Sequence, residues 1–193
     1  MPELNSRCLI CPLDFKQPSI PLTASLLHRR PVLELNPMTS ASYQTFVTHS
    51  LTNYAQEKIA SGEWLPEDAQ ENARLEFAEL LPEGLATPDQ FLFDLHDASR
   101  SEQVGVLWFA LRGPAQRRRI FVYDVLIHPQ FQRQGYAMRA FELLQEKAQD
   151  LGAKDIRLHV FGHNHGARAL YEKLGFVTTN LIMQLDLPSP AGV

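Results

Sequence analysis

Six residues in the C-terminal half, Gln132-Arg133-Gln134-Gly135-Tyr136-Ala137, follow a strand-like run and open a helix-like run. A turn in that place aims several unpaired backbone N–H groups, and the positive end of a helix, at one point. Such a point suits an anion, a phosphate above all. Gly135 lets the anion approach the backbone closely, and Ala137 keeps the first helical turn uncrowded. The turn is not the nucleoside-triphosphate loop G-x-x-x-x-G-K-[ST], because no lysine follows Gly135. It is not the dinucleotide fingerprint G-x-G-x-x-G either. An ordinary strand-to-helix turn could carry the same six residues, so taken alone they leave both readings open.

Two further residues could move protons. Asp124 interrupts the apolar run from Ile120 to Ile127, where a charge is costly unless it is paired or used. His159 lies in the strand-like run 156–161 and could pair with Asp124 or act as a base itself. A purely structural Asp–His hydrogen bond is the alternative for both. His159, His163 and His165 also raise a metal, and with it a zinc hydrolase. However, their span crosses a strand end and Gly162, and no carboxylate stands at a metalloprotease spacing, so no metal is expected. Cys8 and Cys11 form a lone C-x-x-C in a proline-punctuated stretch, without the further ligands zinc needs or the strand–helix setting of a redox motif.

The elements that must position these residues are legible from residue 32 onward. Val32 to Leu35 reads as a short strand. A helix capped by Thr39 or Ser40 runs to about Ala60, with Phe46, Val47, Leu51, Tyr54 and Ala55 toward the core. A second helix starts near Pro66 and buries Ala69, Ala73, Phe77, Leu80 and Leu81. Runs 91–95, 104–111 and 120–127 follow with short connections, which predicts an antiparallel meander. A helix to about Leu151 then leads to strand 156–161, so 120–127 and 156–161 should be parallel neighbours. A helix from Asn164 to Leu174 and strands 176–178 and 181–185 are expected to complete the sheet. The expected fold class is α/β (α+β), a mixed, mostly antiparallel sheet flanked by helices. Residues 1–30 read as an extension, 31–187 as the domain and 188–193 as a tail.

Some 27 residues after the glycine turn comes Asn164-His165-Gly166-Ala167-Arg168-Ala169-Leu170-Tyr171-Glu172-Lys173-Leu174-Gly175-Phe176. The two segments together resemble the GCN5-related N-acetyltransferase (GNAT) family. Gln132, Gly135 and Ala137 match its [QR]-x-x-G-x-[GA] pyrophosphate loop. The later segment matches N-x-x-A-x-x-L-Y-x-K-x-G-F at every named residue. Ala137 stands where many members have glycine, a change the pattern allows. The resemblance covers roughly residues 32–186 and leaves 1–30 unexplained.

The resemblance implies acetyl-coenzyme A as donor and an amine as acceptor. It implies that the two parallel strands splay and admit the donor's pantetheine arm, which pairs with the backbone of Val125, Leu126 and Ile127. The pyrophosphate would rest on Gln132, Arg133, Gln134, Gly135, Tyr136, Ala137 and Met138. Asn164 would reach the pantetheine amide while capping its helix. Tyr171 would lie near the thioester sulfur as the acid that protonates the leaving thiolate. An attacking amine must first lose a proton, since a lysine-like amine has a pKa of about 10.4. Asp124 is the first candidate base and His159 the second. No cysteine lies in the matched region, so direct transfer in a ternary complex is expected. A non-catalytic acyl-coenzyme A-binding or sensing module on the same fold is the alternative. Dimers are common on this fold, so a homodimer stays open.

Composition sets the outer limits. The chain has 193 residues, 45% of them hydrophobic, and a net charge of −4, which gives no global reason to expect nucleic acid as a partner. Arg117-Arg118-Arg119 is the one dense basic cluster and reads as a solvated hairpin end. No run approaches the ~20 apolar residues of a membrane span, and no signal peptide opens the sequence, so a cytoplasmic location is expected.

Overall fold

The computed structural model describes residues 31–185 and 187. The expected extension, the tail and the Cys8–Cys11 pair lie outside the described residues. Strand β1 spans Leu33–Pro37, helix α1 Ser40–Ala60 and helix α2 Pro66–Leu80. Strands β2 (Gln90–Asp97), β3 (Glu102–Arg112) and β4 (Arg119–Ile127) follow, then α3 (Tyr136–Asp150), β5 (Ile156–Leu158) and α4 (His165–Lys173). The sheet runs in the order β1-β2-β3-β4-β5, antiparallel up to β4 and parallel between β4 and β5. This is the mixed sheet that the meander and the crossover predict.

Local chemistry fixes the helix starts. Thr39 caps α1 in a reciprocal box with Ser42, each side chain meeting the other residue's backbone N–H. Pro66 opens α2, and Glu67 and Asp68 sit in its first turn, where the helix dipole favours them. The core forms where α1 and α2 cover one sheet face. Trp108 of β3 takes the edge of Phe46 at 6.0 Å, a tilted contact from Phe77 at 5.4 Å and a stack with Tyr123 at 4.4 Å. Arg117 and Arg118 are exposed between β3 and β4, as a hairpin end would place them.

Two expectations fail at the C-terminal edge. Strand β5 stops at Leu158 instead of reaching Phe161. Strands 176–178 and 181–185 are absent, and the described residues after α4 join no sheet. Their composition favours a strand, but a strand exists only beside another strand.

Candidate active site

The parallel pairing of β4 and β5 stops well short of the end of β4. Ile120, Phe121 and Val122 of β4 are in register with Ile156, Arg157 and Leu158, and there the pairing ends. From Tyr123 to Ile127, β4 is therefore paired through β3 alone. Its second edge meets no strand among the described residues along Val125, Leu126 and Ile127, the three residues expected to meet an extended ligand.

A bulge gives this stretch its shape. Trp108 is opposite Asp124 while Phe109 is opposite Val122, so Tyr123 is an extra residue on β4. A bulge of this kind turns two consecutive side chains toward one face. Accordingly, Tyr123 stacks on Trp108, and Asp124 accepts a hydrogen bond from Ser50 Oγ of α1 at 2.9 Å. Strict alternation along β4 would have sent the two side chains to opposite faces.

Asp124 is 2% exposed, and its Oδ1 has no hydrogen-bond partner among the described residues. Burial pushes its carboxyl up to about 7, against the opposing pull of the Ser50 hydroxyl and the Val125 amide. A carboxyl with that value changes charge near neutrality, as a general base should. His159, the other candidate base, follows the end of β5 and sets its ring edge-on to Phe161 at 5.2 Å. Asp124 takes a hydrogen bond across to α1, from Ser50.

The glycine turn has the geometry of an anion cradle. Gly135 stands at the head of α3 with φ 90°, and Arg133 precedes it at φ 62°. Two left-handed residues alternating in one loop make a concave row of N–H groups. The head of α3 has no side-chain cap and no acidic residue in its first turn. Among the described residues, only Pro31 comes within 4 Å of where a Gly135 Cβ would stand, at 3.8 Å. Gln132 ties the loop down by donating to the Ile127 carbonyl at 3.0 Å, and Gln134 donates to the Gln130 carbonyl at 2.8 Å. Ala137 and Met138 are half-buried in the first turn of α3.

Tyr136 contributes its backbone alone to the cradle. Its side chain is buried, and its hydroxyl donates to Asp97 Oδ2 at 2.5 Å, which locks the head of α3 to the end of β2. Burial and the Asp97 carboxylate push the phenol up to about 12. Arg139 is engaged by Glu142 at 3.0 Å and Glu146 at 3.6 Å.

On α4, Asn164 caps the helix by accepting from the Ala167 N–H at 3.0 Å. Its Nδ2 is buried and meets no acceptor among the described residues. A buried amide donor left over after capping suits a carbonyl brought by a ligand. Tyr171 lies two turns on, buried, with its ring edge-on to Phe141 at 5.4 Å and Phe176 at 5.6 Å.

Three inward-facing polar residues of α1 were missed by the apolar stripe read from sequence. Ser50, Glu57 and Lys58 are buried, whereas Val47 and Leu51 are only partly so. Glu57 Oε2 meets His163 Nε2 at 2.6 Å, and Lys58 pairs with Glu63 beneath the rings of Tyr54, Trp64 and Phe161. The signal was the spacing Phe46, Ser50, Tyr54, Glu57, one face of one helix. His163 is thus tied to a glutamate. Among the described residues, no three His, Cys, Asp or Glu side chains gather as metal ligands would. No helix among them is long and apolar enough to cross a membrane.

Comparison with known proteins converges on one family. Residues 53–176 match the model of the acetyltransferase (GNAT) family. The chain is 37% identical over 153 residues to YycN of Bacillus subtilis, an uncharacterised N-acetyltransferase, covering 79% of this chain and 97% of that protein. YdgE of the same organism, also an uncharacterised N-acetyltransferase, is 30% identical over the same shares. The crystal structure of YycN superposes with a TM-score of 0.78 at 36% identity, covering 81% of this chain and 99% of the other. On the family match and these two relatives, this chain belongs to the GNAT family of acetyltransferases.

Proposed function

We propose that this protein transfers the acetyl group of acetyl-coenzyme A to a primary amine, directly, within a ternary complex. The observation that carries this reading is the pairing of β4 and β5, which ends at Val122 and Leu158 on the strand that leads into the Gly135 turn. A nucleotide thioester needs both features, an anion cradle for its diphosphate and an unpaired strand edge for its amide-bearing arm. The residues present fit that group. Backbone N–H groups of Arg133 to Met138 would hold the diphosphate, and Val125 to Ile127 would pair with the arm. Asn164 Nδ2 would donate to an amide carbonyl of the arm.

When bound, acetyl-coenzyme A supplies an activated acyl carbon on a good leaving group. The protein's own contributions are positional and protonic. Asp124 takes the proton of the incoming ammonium, directly or through water, leaving a neutral amine to attack. The new N–C bond forms as the C–S bond breaks. An N–H of β4 near Leu126 stabilises the negative charge that develops on the carbonyl oxygen. Tyr171 gives its phenolic proton to the departing sulfur and is reprotonated, directly or through water, by the second proton that the acylated nitrogen sheds. His159 remains the second candidate for the base. A screen of amine pools with acetyl-coenzyme A, read by mass spectrometry, tests the reading. Acetylated amine together with free coenzyme A is expected. Donor binding without turnover on any pool would contradict transfer.

A further inference from the structure

One face of α1 touches three successive parts of the sheet. Phe46 meets Trp108 of β3 at 6.0 Å, and Ser50 donates to Asp124 of β4 at 2.9 Å. Glu57 Oε2 then meets Nε2 of His163, in the chain that continues from β5, at 2.6 Å. At 3.6 residues per turn, these three side chains of α1 fall within about 40° of one another around the helix. Lys58 follows, with Nζ 5.8 Å from the ring of Phe161, on which the His163 ring stacks at 5.5 Å. Helix α1 therefore crosses the strands instead of following one of them.

The spacing along α1 measures the gap between the two banks of the wedge. Trp108 and Asp124 stand opposite each other on neighbouring strands, one strand spacing of about 4.8 Å apart. α1 covers that step between Phe46 and Ser50, a rise of about 6 Å. Its next step, from Ser50 to Glu57 and Lys58, is a rise of about 10 to 12 Å. By its own measure α1 thus holds the far bank close to two strand spacings from β4. Two spacings leave room for one extended chain between the banks, the width that a ligand pairing as an added strand needs.

The hold on the far bank passes from sheet to helix. β5 pairs with β4 from Ile156 to Leu158, and the bulge at Tyr123 begins where that pairing ends. A bulge interrupts the regular ladder that a closing strand would need. Beyond it, Glu57 and Lys58 tie the segment to α1. We propose that the Glu57–His163 contact is a latch that keeps the wedge open by one strand's width before the donor arrives. Glu57 is a positioning residue: it acts through His163 on the segment that ends in Asn164, whose buried Nδ2 awaits an acceptor. A gap formed in advance raises donor affinity, because binding does not have to create it. The gain in donor binding rests on the acetyltransferase reading, but the latch itself does not.

Hydrogen exchange and titration calorimetry with acetyl-coenzyme A, both on the full chain, test the proposal. Glu57→Ala should speed exchange of residues 156–164 at least ~10-fold in the free protein, with β2 and β3 unchanged. Its dissociation constant for acetyl-coenzyme A should rise about 10-fold, as the competent population falls to about a tenth. Glu57→Gln keeps an oxygen and an amide for the His163 ring, so it should stay within about twofold of wild type in both readings. His163→Ala removes a side chain that is 45% exposed, leaves the fold intact and should match Glu57→Ala. The double variant should lose no more than either single one, because the two side chains form one contact. Unchanged or slower exchange at 156–164 in both single variants overturns the latch. Losses that add in the double variant, or that Glu57→Gln fails to rescue, also overturn it. Faster exchange with unchanged donor affinity would separate the latch from the wedge and contradict the proposal. A wild type that binds no acetyl-coenzyme A removes the donor reading, and the exchange comparison still decides the latch.

Discussion

Asp124 shows how one residue can be read from sequence while its partner cannot. A lone carboxylate in an apolar strand is visible in the sequence, but Ser50, 74 positions earlier, shows no pattern tied to it. Only the fold and the bulge at Tyr123 bring them together. In the folded protein Asp124 keeps its proton to about pH 7, whereas an unfolded aspartate releases it near 4. Between those values the folded state binds more protons, so stability falls as pH rises through that window. Asp124→Asn should flatten this slope, which spans on the order of 4 kcal/mol over about three pH units. Urea titrations at pH 4.5 and 8 would show it, and equal slopes in both proteins would remove the raised carboxyl. In activity the sign is opposite. A base must be unprotonated, so kcat/KM should rise with a midpoint near pH 7, and Asp124→Asn should lose that limb with at least a ~100-fold lower rate. Tyr171→Phe keeps the ring contacts with Phe141 and Phe176 and removes only the hydroxyl. Turnover should fall about 10- to 100-fold while donor affinity stays within about threefold. Unchanged turnover would take Tyr171 out of the proton path.

Elements were legible where they generate their own periodicity. Helix α2 and the meander follow the apolar spacing because each buries one face against the rest of the chain. The C-terminal strands failed because pairing is not a local property, and strand-like composition does not name a neighbour. Two glycines carry most of the geometry around the wedge. A Cβ on Gly105 would meet the Leu126 carbonyl oxygen at 2.1 Å, so β3 and β4 approach this closely only with glycine there. Gly105→Ala should cost roughly 2–4 kcal/mol and disturb the edge of β4, checked by thermal melts. Gly135 differs, since Pro31, the nearest of the described residues, stands no closer than 3.8 Å to its Cβ position and the constraint is its φ of 90°. Gly135→Val would strain the turn and crowd the head of α3. Donor affinity should fall about 100-fold or more with the fold intact, read by titration calorimetry. Equal affinity would argue against the cradle.

At the scale of the molecule, the architecture followed from two facts in the sequence: short connections through the meander and a single crossover through α3. The crossover then sets two parallel strands side by side, and the wedge opens where their register stops. The inner face of α1 was less legible. Ser50, Glu57 and Lys58 break no apolar pattern in the sequence and become buried only when α1 lies across β4 and the residues after β5. The central claim is that this wedge and its cradle hold a nucleotide thioester. Titration calorimetry of acetyl-coenzyme A into the folded full-length chain tests it most directly. One site per chain is predicted, with affinity that falls in Gly135→Val. No heat with acetyl-coenzyme A or free coenzyme A would contradict it.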